Sequence, residues 1–100
     1  MTLTKAQREY LQVLGHSLQP TVDVGAGGVT TSVARELERA LADAELVKVR
    51  LPFGDRRKRS RVAAQLEPLA EVCLVQQSGH FALLYNPRPG SDLHLPSADA

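Results

Sequence analysis

The sequence predicts an α/β fold, a two-layer sandwich in the order helix, strand, helix, strand, helix, strand, strand. Three observations carry that prediction. Apolar residues recur at helical spacing in three stretches, and strand-like apolar runs lie between and after them. The first two strands flank a helical stretch, so they should be parallel and joined by a right-handed crossover. The last two flank Ser78-Gly79 and should form a hairpin.

Thr4-Lys5-Ala6-Gln7 has the form of a capping box, and Leu3, Tyr10, Leu11, Leu14 and Leu18 follow at roughly helical spacing. A first helix is predicted from Lys5 to Leu14, ended by Gly15, with His16 to Pro20 as the connection. Thr21 to Val24 is predicted as a short strand. Val33, Leu37, Ala40, Leu41 and Ala44 make one apolar stripe, which gives a second helix over Thr31 to Ala44. Leu46 to Leu51 alternates, so Val47, Val49 and Leu51 face the core while Lys48 and Arg50 point the other way. After Pro52-Phe53-Gly54, Asp55 can cap a third helix starting at Arg56, with Val62, Ala63, Leu66 and Leu69 apolar and Pro68 ending or kinking it. Val72 to Gln77 and His80 to Tyr85 are the hairpin strands, and most of residues 87–100 is expected to be a mobile tail. The core should contain Leu11, Leu14, Val22, Val24, Val33, Leu37, Leu41, Val47, Val49, Val62, Leu66, Val75, Leu83 and Tyr85.

One hundred residues suffice for one domain, here assigned to residues 1–86, and not for two. The single cysteine, Cys73, lies in an apolar run and is expected to be a buried thiol in a reducing compartment, with the cytoplasm as the expected location. No apolar stretch approaches the ~20 residues of a membrane span, and no secretion signal is expected from the segment around Lys5 and Arg8.

The net charge is only +1, but it is unevenly distributed. Residues 1–47 carry four basic and six acidic groups, residues 48–61 seven and one, and residues 62–100 one and four, giving −2, +6 and −3. A basic block on a mildly acidic chain is the footprint of a polyanion binder, and a solvated basic face is the competing explanation. Lys48 and Arg50 side by side on a sheet face are costly without an anion. Arg56, Arg57, Lys58 and Arg59 in a helix's first turn oppose its dipole by ~0.3–1 kcal/mol each, which favours a functional placement.

Val24-Gly25-Ala26-Gly27-Gly28-Val29-Thr30-Thr31 runs from a strand through a glycine loop into a helix start. Glycines there let a polymer backbone approach the main chain, and Thr30 or Thr31 can cap a helix whose free N–H groups face a phosphate. A Gly-x-x-Gly loop is also how one single-stranded RNA module clamps its ligand. A tight turn without a ligand is the other reading. A dinucleotide fingerprint fails because Thr30 stands at the third glycine position, and a Walker A loop fails for want of its lysine. The sequence has no Gly-x-Ser-x-Gly elbow and no zinc-ligand spacing among His16, Cys73, His80 and His94, so neither an enzyme, a cofactor nor a metal is expected.

His16-Ser17-Leu18-Gln19-Pro20, Val24 to Thr30, Glu45 to Arg50 and Gly79 to Tyr85 resemble, in order and spacing, successive landmarks of the chloroplast RNA splicing and ribosome maturation (CRM) domain, most closely its single-domain YhbY-like members. The resemblance covers roughly residues 2–85. It implies a four-stranded mixed sheet similar to the C-terminal domain of the third bacterial initiation factor, with RNA of large ribosomal subunit precursors as partner. It assigns the loop to Gly25, Ala26, Gly27 and Gly28, and the basic strand to Lys48 and Arg50. Two departures stand out: Glu71 where relatives often have glycine, and Asn86 where they often have arginine, with Arg88 near enough to substitute. The function expected is a monomeric, non-enzymatic RNA-binding protein of ribosome assembly. The alternatives are a protein-binding adaptor using the hairpin edge or the second helix, and a DNA-binding role. With only four aromatics, backbone contacts should outweigh base stacking.

Overall fold

The computed structural model describes residues 3–25, 27–52, 54–70, 72–87 and 96, leaving aside the side chains of residues 69 and 70. Three helices, α1 (Lys5–His16), α2 (Thr31–Asp43) and α3 (Arg56–Ala70), alternate with strands β1 (Val22–Asp23), β2 (Leu46–Arg50), β3 (Cys73–Ser78) and β4 (Phe81–Tyr85). The strands form one mixed sheet in the order β1-β2-β4-β3. β1 runs parallel to β2, with Val22 opposite Val49 and Asp23 opposite Arg50, while β4 is antiparallel to both β2 and β3.

The sheet and the helix pair α2/α3 make the expected sandwich. Val22, Val24, Val47, Val49, Leu51, Ala82 and Leu84 bury against Val33, Leu37 and Leu41 of α2 and Val62, Ala63 and Leu66 of α3. α1 adds a partial cover on the opposite face, where Leu3, Leu11 and partly buried Leu14 pack on Cys73, Val75, Leu83 and Tyr85. Burial pushes the Cys73 thiol and the Tyr85 phenol to higher pKa values, so both stay neutral at physiological pH.

Local chemistry explains where the elements begin. Thr4 and Gln7 close the capping box of α1, with Gln7 N–H donating to Thr4 Oγ1 at 3.1 Å and Thr4 N–H to Gln7 Oε1 at 3.0 Å. Thr30 caps α2 by accepting from Val33 N–H at 3.2 Å. Asp55 Oδ1 accepts from the N–H groups of Arg57 (2.9 Å) and Lys58 (3.4 Å) at the start of α3.

Several boundaries differ from the sequence reading, among them the end of α2, which stops at Asp43 and leaves Ala44 of the expected apolar stripe exposed. α1 continues through Gly15 to His16, because Gly15 serves close packing: an added Cβ would lie 2.6 Å from Leu83 Cδ2. Pro68 does not end α3, the first of the two outcomes expected of it: the helix passes it and stops at Ala70, since a proline keeps a helical φ and near the last turn removes only one hydrogen bond. β1 is shorter than expected, although Thr21 N–H to Lys48 C=O and Val24 N–H to Arg50 C=O extend its pairing. The hairpin turn is Gly79-His80, one residue later than predicted, with Gly79 at φ 55°.

β3 also carries a bulge between Leu74 and Gln76 that the sequence did not announce. The Arg8 guanidinium donates to the C=O groups of Leu74 (3.0 Å) and Val75 at this irregularity. The tail expected over residues 87–100, including Arg88, lies outside the described residues save Pro87 and Pro96, as do Glu71 and the Leu69 side chain. Pro96 C=O accepts from Gln7 Nε2 at 3.0 Å. Among the described residues no helix is long and apolar enough to cross a membrane.

Candidate nucleic-acid interface

Parallel pairing of β1 and β2 sends both strands toward the same end of the sheet, and four features therefore share that end: the glycine loop after β1, the α2 start, the α3 start and the Gly79-His80 turn. Core side chains hold the loop at both of its ends, fully buried Val24 before it and partly buried Val29 after it. Between them the Gly28 N–H closes a turn on Gly25 C=O at 2.9 Å. Gly28 adopts φ 78°, which a side chain would strain. Gly25 and Gly27 are exposed, and a Cβ at either would meet nothing within 4 Å. Packing of this chain therefore does not account for glycine at those two positions. Ala26 lies outside the described residues.

Thr30 is the α2 cap, and the amides of the helix's first turn precede its intrahelical hydrogen bonds. The start of α3 brings exposed Arg56 and Arg57 and half-buried Lys58 and Arg59 to the same end. Two helix N-termini and this basic run make that end positive, with Asp55 as the cap among them. His80 fixes the adjoining end of β2: its C=O accepts from Leu51 N–H at 2.5 Å, and its Nδ1 is 3.0 Å from Leu51 C=O. Ser60 Oγ lies 3.1 Å from Gln77 Oε1 and ties α3 to β3.

Lys48 and Arg50 point, as expected, away from the α2/α3 core. They are less isolated than the sequence suggested. Lys48 Nζ lies 5.1 Å from the centre of the Phe81 ring, and the cross-strand neighbour of Arg50 is Asp23. Sequence reasoning did not single out Phe81, whose outward position depends on the β2–β4 register. Asn86 lies at the far end of the sheet, where its Nδ2 donates to Leu41 C=O at 3.1 Å. An arginine in its place would not have joined the basic end. A cavity of about 590 Å³ also lies away from that end; Leu18, Thr21, Glu36, Arg39, Asp43 and Lys48 are among its walls. Its mixture of charge signs does not suit a polyanion.

The geometry defines an α/β domain that presents a glycine loop, two helix starts and a basic run at one end of a mixed sheet. The chain belongs to the CRS1 / YhbY (CRM) domain family, whose model matches residues 3–86. It is 40% identical over 95 residues to a probable RNA-binding protein of Pseudomonas aeruginosa, covering 93% of this chain and 91% of that one. It is 34% identical over 95 residues to an RNA-binding protein of Haemophilus influenzae, covering 95% and 96%. The solution structure of a hypothetical protein from Staphylococcus aureus superposes with a TM-score of 0.84 at 26% identity, covering 95% of this chain and all of that one.

Proposed function

We propose that this chain is a non-enzymatic RNA-binding protein, a single domain over residues 1–86 that holds an RNA backbone at the basic end of its sheet. The observation that carries this reading is the convergence of the glycine loop, the α2 start and the Arg56–Arg59 run at one end. In this reading Gly25, Ala26, Gly27 and Gly28 let a phosphate approach the main chain, and Thr30 with the first amides of α2 receives it. Lys48, Arg50, Arg56, Arg57, Lys58 and Arg59 supply the field that draws the polyanion in. The names of the bacterial relatives support RNA over DNA.

Family membership supports large ribosomal subunit precursors as the source of that RNA, and ribosome assembly in the cytoplasm as the setting. The test is gradient sedimentation of a cell lysate. The protein should travel with large-subunit precursors as a monomer bound to RNA, and ribonuclease should return it to the top of the gradient.

The mixed-charge cavity beside α2 favours a second reading, a protein-binding adaptor. A complex that resists ribonuclease and is indifferent to salt would support the adaptor instead.

A further inference from the structure

Beyond the end of α1 the sheet face that this helix covers remains open. Phe81 is 39% exposed there. A pocket of about 160 Å³ lies between Gly15 and His16 on one side and Lys48, Gln76, Ser78 and Phe81 on the other. The β3 bulge helps to compose it. Gln76 stands opposite Leu83 and Ser78 opposite Phe81, so both share the face of Lys48, whose own cross-strand partner is Leu83. A regular strand would have presented Gln77 to this face and turned Gln76 and Ser78 to the other. Among the described residues no carboxylate lines the pocket.

We propose that this open strip is a stacking shelf for one unpaired base, which takes the place of the Lys48 ammonium now lying over the Phe81 ring, so that Lys48 turns to the adjoining phosphate. An aromatic face stacks on any base, and the amide of Gln76, the hydroxyl of Ser78 and the imidazole of His16 offer donors and acceptors to its edge. The volume is below the ~300 Å³ of a drug-sized site, which suits one flat ring. A base inside an A-form duplex cannot reach such a shelf, so the shelf selects single-stranded RNA. This inference rests on the RNA reading above and adds the class of RNA to it.

The test compares Phe81→Leu with the unaltered protein in binding a single-stranded oligoribonucleotide and a duplex of equal length, with circular dichroism as the folding control. Phe81→Leu should weaken single-strand binding roughly 5- to 100-fold, leave duplex binding unchanged and keep the salt slope, since no cation is lost. Phe81→Trp supplies a second readout in a chain that has no tryptophan. Its emission should be quenched by the single strand and not by heparin, a polyanion without bases. Equal single-strand affinity of the unaltered and Phe81→Leu proteins, or an unquenched tryptophan in a bound complex, would overturn the shelf and leave the RNA reading standing. An unaltered protein that binds neither RNA would overturn both.

Discussion

Gly15 shows how one residue can be read correctly as special and wrongly as to why. Within a helix, alanine is ordinarily preferred to glycine by ~1 kcal/mol. Here the added methyl would press on Leu83, a buried side chain at the centre of the α1 face, at 2.6 and 3.0 Å from its two terminal carbons. Overpacking of this kind costs about 1–3 kcal/mol, so Gly15→Ala should destabilise the protein despite the better helix former. Urea unfolding measures it, and in a Leu83→Ala background the same change should become stabilising. A stabilising effect of Gly15→Ala by itself would mean that Leu83 swings aside freely. Gly27 obeys the opposite logic. A side chain there meets open space, so Gly27→Asp should fold as before and lose RNA affinity because its carboxylate would occupy the place of a phosphate. Unchanged affinity in the folded variant would reduce the loop to a plain turn. Gly28 is a poorer probe, because its φ of 78° would add backbone strain to any effect on binding.

At the scale of elements, α2 is the part most fully legible in the sequence. Its stripe placed Val33, Leu37 and Leu41 inward, and all three are buried. Leu37 has no exposed surface, so Leu37→Ala should cost ~2–5 kcal/mol. A change below about 1 kcal/mol in denaturant unfolding would mean that the helix repacks around the gap. Helix and strand order and the outward side of Lys48 and Arg50 were legible for the same reason, since periodicity encodes which side of an element is wet, and the parallel first pair followed from the helix between its strands. What periodicity does not encode is the contact between elements. Gly15 needed the position of Leu83, the β3 bulge needed the β4 register, and α1 crossing to the other face of the sheet needed knowledge of which face α2 and α3 had filled. Phe81 was hidden for a related reason: an aromatic in an apolar strand looks like core until the helix above it ends one turn short. In the candidate site, the loop and basic run could be named from residue types alone, while their meeting at one end required the topology.

For the molecule as a whole, the question is whether the loop and the basic run act as one device or two. Both lie at the end where β1 and β2 terminate, yet they belong to different helices and contribute different physics. The loop and the α2 amides act at contact distance, whereas the cations of α3 act through a field that salt screens over about 10 Å at 0.1 M. Loss of one should therefore be distinguishable from loss of the other. Replacing Arg56, Arg57, Lys58 and Arg59 together with glutamine should weaken binding to all RNAs alike and flatten the log–log salt dependence by ~0.7 for each single-strand phosphate contact removed. Gly27→Asp acts at one position of the backbone and should alter that slope by no more than a single contact. Folding should survive the quadruple change, since Asp55 accepts from backbone N–H groups and removal of four cations relieves repulsion with the helix's positive end. A salt titration of RNA binding for the unaltered protein and both variants, with circular dichroism alongside, measures the division. If the quadruple variant binds with undiminished affinity and a parallel slope, the basic run is a solvated face and the RNA must be held by the loop with Lys48 and Arg50.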